Sequence, residues 1–109
     1  MVSELDIDVI PRGRWWADGG KYRDELAKVN PYADGCPPEI LARQAEQYAK
    51  LFALFRRYPD VIIRVSFWNL HDGQSWLNKF PWIRVNHPLL FDRQGQPKPA
   101  YHSVLQALR

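Results

Sequence analysis

The segment Val61-Ile62-Ile63-Arg64-Val65-Ser66-Phe67-Trp68 constrains this chain more than any other. Val61, Ile63, Val65 and Phe67 form one wholly apolar face at the period-two spacing of a β-strand. Ile62, Arg64, Ser66 and Trp68 mix on the other face. A strand of this kind fits a sheet covered by helices outside, with polar residues inside near a barrel mouth.

A second strand signal lies at the start of the chain. Val2, Leu5, Ile7 and Val9 are apolar, Glu4, Asp6 and Asp8 take the opposite phase, and Pro11 closes the run. A long segment rich in Gly, Asp and Pro follows, from Arg12 to Cys36. Loops of this length in a compact domain are usually functional or disordered. Pro37-Pro38-Glu39 then starts a helix, because proline fits the first turn and a carboxylate suits the helix dipole there. Leu41, Ala45, Tyr48, Phe52 and Phe55 recur at steps of four and three, widened by Ile40, Leu51 and Leu54. The helix therefore buries one broad face as far as Tyr58-Pro59. After the strand at 61–68, Asn69 to Lys98 reads as irregular. Pro99 to Leu108 reads as a short closing helix with Val104, Leu105 and Leu108 on its apolar face.

The order is βαβα, which places the chain in the α/β class with parallel strands joined by a right-handed crossover. Two parallel strands with two helices leave both strand edges unpaired and one sheet face bare, and parallel sheets occur almost only when covered on both faces. Arg64, on the inner face, adds the need for a carboxylate partner. The unit is expected to recruit further sheet.

Composition narrows the functional classes. The 109 residues, 46% hydrophobic and 25% charged, make about one small domain of ordinary soluble type. Basic residues are scattered and the net charge is only +3, which argues against nucleic acid. No apolar run reaches the roughly 18 residues a bilayer span needs, and the start MVSELDID lacks the pattern of a secretion signal. A single cysteine, Cys36, excludes an intramolecular disulfide and a cysteine-based zinc site. Five tryptophans imply a large apolar core or flat platforms for a ligand.

Several segments, in order, resemble family-10 endo-β-1,4-xylanases. Ser3-Glu4-Leu5-Asp6-Ile7 is similar to the Thr-Glu-Leu-Asp segment that ends the seventh strand of that family and carries its nucleophile. Val65-Ser66-Phe67-Trp68, with Asp72, Ser75-Trp76 and Leu77, resembles the eighth strand and its loop. Pro88-Leu89-Leu90-Phe91-Asp92 and Gln96-Pro97-Lys98-Pro99-Ala100-Tyr101 resemble the closing segment and last helix. The likeness runs over nearly the whole chain, so residues 1–109 read as a single fragment of a catalytic barrel.

The resemblance implies a partial (β/α)8 TIM barrel equivalent to the last two βα units, with chemistry at the C-terminal ends of the strands. It implies retaining hydrolysis, in which one carboxylate attacks the anomeric carbon and a second, about 5–5.5 Å away, serves as acid and then base. Glu4 takes the place of the attacker, and must stay ionised to act. Trp68 and Trp76 take the places of tryptophans that wall the sugar site, since an indole face suits the C–H side of a sugar ring. The resemblance implies no cofactor and no metal, and family members are typically secreted. The acid/base glutamate of the family lies on its fourth strand, and none of strands one to six has a counterpart here. The chain alone is expected to be weakly active or inactive.

Other residues receive structural expectations. Trp15, Trp16 and Trp82 are expected to pack under long loops, and Asp6 and Asp72 to hold loops or pair with Arg64. His87 and His102 are expected on the surface, Cys36 as a structural thiol, and no role is carried to His71. Xylan or xylo-oligosaccharide is the expected ligand. The sheet is expected to be completed by a complementing fragment or by self-association, with four copies supplying the eight strands of a closed barrel. A sugar-binding module without hydrolysis, and an inert self-assembling fragment, remain alternative readings.

Overall fold

The computed structural model describes residues 1–10, 30–80 and 83–109. The expectations for Trp15, Trp16 and Trp82 lie outside these residues. Among the described residues two strands and two α-helices form in the expected order: β1 (Val2–Leu5), α1 (Pro38–Arg56), β2 (Val65–Phe67) and α2 (Pro99–Ala107). The strands pair in parallel.

β1 contains an irregularity that the sequence already carries. Val2 lies opposite Val65 and Leu5 opposite Phe67, so four residues of β1 span three of β2. Glu4 supplies the extra residue, with φ +62°. One added residue shifts the side-chain alternation by one, which is why Val2 and Leu5 are both partly buried although three apart. Beyond Leu5 the chain leaves the sheet. Ile7 N–H donates to Pro88 C=O at 3.1 Å and Val9 N–H to Asn86 Oδ1 at 3.3 Å, so the expected strand to Val9 becomes a run beside the 86–88 loop.

β2 is shorter than the apolar pattern suggests. β1 provides ladder partners only from Val2, which bonds Arg64 C=O at 2.8 Å. Val65 and Phe67 pack on the core, whereas Val61 and Ile63 are 71% and 81% exposed. Arg64 is also exposed, so it carries no burial penalty and needs no carboxylate here.

α1 begins at Pro38 with Glu39 in its first turn, as the sequence requires, and stops at Arg56 ahead of Pro59. It buries Ala45, Tyr48 and Phe52 on the expected stripe, while Leu54 is exposed. Gln44 is the unforeseen member of the buried face: its amide donates to Ile7 C=O at 3.1 Å and His87 C=O at 2.6 Å. α2 packs against α1. It buries Ala100 and Val104, with Tyr101 and Ala107 partly buried against the same core. Leu105 and Leu108, expected inside, are exposed, because the contact with α1 falls on the Ala100–Val104–Ala107 line. Arg56 Nη1 donates to Ala107 C=O at 3.0 Å, fastening the two helix ends together. No described helix is long and apolar enough to cross a membrane.

The described residues of the irregular stretch after β2 form a loop with regular turns. It makes two short 3-10 turns, Asp72–Gln74 and Trp76–Asn78, and an isolated antiparallel bridge between Phe91 and Pro97.

Candidate functional site

Parallel pairing brings the ends of β1 and β2 together, and the three candidate residues belong to this end. Glu4 is the third residue of β1, and Trp68 directly follows β2. Trp68 N–H donates to the carbonyl of Leu5, the residue after Glu4, at 3.0 Å. Trp76 returns to the same segment through its side chain: Nε1–H donates to Asp6 Oδ2 at 2.9 Å. Asp6 thus holds a loop, as expected from sequence.

The local sequence explains why Trp76 stays at the surface. Ser75 and Leu77 on either side are buried, and Ser75 Oγ accepts from Leu77 N–H at 3.2 Å to start the turn. Trp76 is left 37% exposed between them, beside Trp68 at 38%. The two indoles lie 5.6 Å apart at 30°. Phe80 stacks on Trp76 at 4.8 Å and 26°, so Trp76 is in contact with both rings. Phe80, four residues after Trp76, was not singled out from sequence, and its spacing alone was the available signal.

Glu4 is exposed, and among the described residues its carboxylate has no hydrogen-bond or ion-pair partner. The neighbouring acids behave differently. Asp8 Oδ2 pairs with Arg84 Nη2 at 2.9 Å, and Asp8 Oδ1 accepts from Asn86 Nδ2 at 2.6 Å and Ile10 N–H at 2.8 Å. Arg84 is buried and also bonds Leu77 C=O at 3.0 Å, so β1's continuation and the tryptophan loop share one polar anchor.

Beneath the loop lies a second anchor. Asp72 is fully buried, with Oδ1 accepting from Leu89 N–H at 2.7 Å and Oδ2 3.0 Å from Lys98 Nζ. Lys98 also donates to His87 C=O at 2.8 Å and Leu89 C=O at 2.6 Å. Burial pushes the Asp72 carboxyl up and the Lys98 ammonium down, each opposed by the other's charge. Asp72 therefore holds a loop rather than serving as an exposed acid. His87 is not a surface residue: its Nε2 lies 3.0 Å from Tyr32 C=O and its Nδ1 3.1 Å from Arg93 Nη1. Burial lowers its pKa, and the tautomer protonated on Nε2 satisfies both contacts. His102 is exposed.

A cavity of about 470 Å³ is lined by Cys36, Leu41, His87, Arg93 and Lys98 among others, and by none of the three candidate residues. Burial raises the Cys36 pKa, which suits a structural thiol rather than a nucleophile. Among the described residues no group of three His, Cys, Asp or Glu side chains could hold a metal ion.

Known proteins resemble the chain along most of its length. The sequence profile of glycosyl hydrolase family 10 matches residues 1–107. The chain is 44% identical over 109 residues to a thermostable celloxylanase of Thermoclostridium stercorarium, covering all of this chain and 24% of the relative. It is 50% identical over 105 residues to an endo-1,4-beta-xylanase of Geobacillus stearothermophilus, covering 95% and 28%. Among solved structures, a family-10 endoxylanase retrieved from a sugarcane soil metagenome superposes with a TM-score of 0.80 at 38% identity, covering 98% of this chain and 29% of that one. Xylanase B from Clostridium stercorarium F9 gives 0.76 at 37%, covering 94% and 26%. The chain thus spans less than a third of the length of these relatives, and its two strands and two helices correspond to the C-terminal part of their (β/α) barrel. With its profile match, its relatives and its superposition in accord, the chain belongs to glycosyl hydrolase family 10.

Proposed function

We propose that this chain is the part of an endo-1,4-β-xylanase that supplies the nucleophile Glu4 and an indole platform, Trp68 with Trp76, for a xylan chain. The observation that carries this reading is the bond between Trp68 N–H and Leu5 C=O, which seats the platform one residue from Glu4. The C–H faces of xylose rings lie against the exposed indoles, and Glu4 attacks the anomeric carbon to give a covalent glycosyl-enzyme. Departure of the leaving oxygen requires a protonated carboxylic acid about 5–5.5 Å from the nucleophile. That group comes from the other strands of the barrel. By itself the chain binds xylo-oligosaccharides without hydrolysing them.

The sheet is completed by association. Val61 and Ile63 beside β2 and Leu108 of the α2 end are exposed, and a parallel sheet with open edges is a template for further strands. Self-association closes with four copies, because four pairs of strands give the eight of the barrel.

Titration of xylohexaose against the chain, followed by tryptophan fluorescence, tests the platform. Saturable binding that Trp68→Ala removes supports it. Absence of binding, or binding indifferent to Trp68→Ala, contradicts it. The exposed and unpartnered state of Glu4 favours one rival, a sugar-binding module in which Glu4 has no role, even when the remaining strands are present.

A further inference from the structure

Trp76 is in contact with two other rings, its centroid 5.6 Å from that of Trp68 and 4.8 Å from that of Phe80. Contact with other rings does not by itself fix where the polar edge of an indole points, because that direction is set by the χ1 and χ2 rotamers of the side chain. The indole has one polar handle, Nε1–H, and it points at Asp6 Oδ2 at 2.9 Å. A carboxylate acceptor makes this a charge-assisted bond, roughly twice the strength of a neutral one. Asp6 itself stands two residues beyond Glu4.

We infer that Asp6 is a positioning residue for sugar binding: it holds the Trp76 side chain in one rotamer and ties the platform to the segment that bears Glu4. This deepens the function proposed above and rests on it. Asp6 does not touch the sugar; it acts through Trp76. The platform is thereby pre-organised, and the sugar does not have to order the ring on binding. The Leu5–Trp68 bond makes the parallel connection through the backbone, so both indoles are referred to the two residues that follow Glu4.

The test uses Asp6→Ala and Asp6→Asn in the 109-residue chain, with two readouts. The first is the circular-dichroism band of the coupled indoles, assigned by its loss in Trp68→Phe and in Trp76→Phe. The second is the affinity for xylohexaose. Asp6→Ala is expected to diminish the indole band while the helical signal persists, and to weaken binding by about tenfold. Asp6→Asn, whose amide oxygen still accepts from Nε1–H, is expected to restore most of both. An unchanged indole band in Asp6→Ala overturns the positioning role, and so does a loss that Asp6→Asn fails to restore. A diminished band with unaltered affinity overturns the link to sugar. Should the parent chain bind no sugar, the proposed function fails and the role in sugar binding fails with it. The band then reports separately whether Asp6 orients Trp76.

Discussion

Lys98 Nζ sits 3.0 Å from Asp72 Oδ2, with both side chains withdrawn from water beneath the loop that carries Trp76. Neither charge is tolerable there without the other. Lys98→Met leaves a buried carboxylate beside the Leu89 N–H and is expected to destabilise the fold by about 3–5 kcal/mol. Adding Asp72→Asn should recover part of that loss. Urea unfolding of the two single variants and the double variant measures the coupling.

His87 makes stability fall on the acid side. Burial, with Arg93 and Lys98 close by, lowers its folded-state pKa below the ordinary 6.5, while Tyr32 C=O and Asp72 oppose the shift. Between the folded value and 6.5 the unfolded chain binds more protons, so stability decreases as pH drops through that window. Below the folded value the full loss is present. His87→Gln, unable to titrate, should flatten this part of the stability–pH curve, as read by unfolding at a series of pH values.

Glu4 separates function from stability. Its φ of +62° is a left-handed conformation that costs a non-glycine residue about 1–2 kcal/mol. Glu4→Gly is expected to stabilise the chain by about 0.5–1 kcal/mol after the entropy of the added glycine is counted. Glu4→Gln should leave stability within about 0.5 kcal/mol, since the side chain is exposed. Thermal unfolding distinguishes the two, and both should be equally unable to support hydrolysis. A strained residue at the proposed nucleophile is the pattern expected where function opposes stability.

Ile63, 81% exposed beside the open edge of β2, marks the surface through which copies are proposed to associate. Ile63→Lys is expected to shift the molar mass by light scattering from about four chains toward one, because a charge on a sheet edge opposes pairing. A parent chain that is already monomeric and well folded contradicts the assembly.

The helices were legible in the sequence because their signals are local: a proline start, a stripe of period 3.6 and a proline beyond the end. The bulge was present as the phase break between Val2 and Leu5, although it read as a plain strand. Strand length was not legible at Val61 and Ile63, since burial there depends on a neighbour that the described residues do not provide. The α2 face kept Val104 but took Ala100 in place of Leu105 and Leu108, because the partner helix, rather than the larger side chain, sets the contact line. Polar anchors were least legible. Arg84 and Asp8 meet across 76 residues of sequence, and Gln44 completes a buried helix face that composition alone would assign to apolar residues. Around the site, Glu4, Trp68 and Trp76 were legible through the likeness of their segments to a family, whereas Phe80 and the bond from Trp76 to Asp6 emerge only from the packing of the loop.

The decisive measurement is release of reducing sugar from xylan by this chain mixed with a separate chain carrying the first six βα units of a family-10 xylanase. Activity that appears only in the mixture, and falls by about a thousandfold or more with Glu4→Gln, is the predicted result. Activity that survives Glu4→Gln, or that the chain shows equally without the partner, contradicts the assignment of Glu4 as a nucleophile waiting for the rest of its barrel.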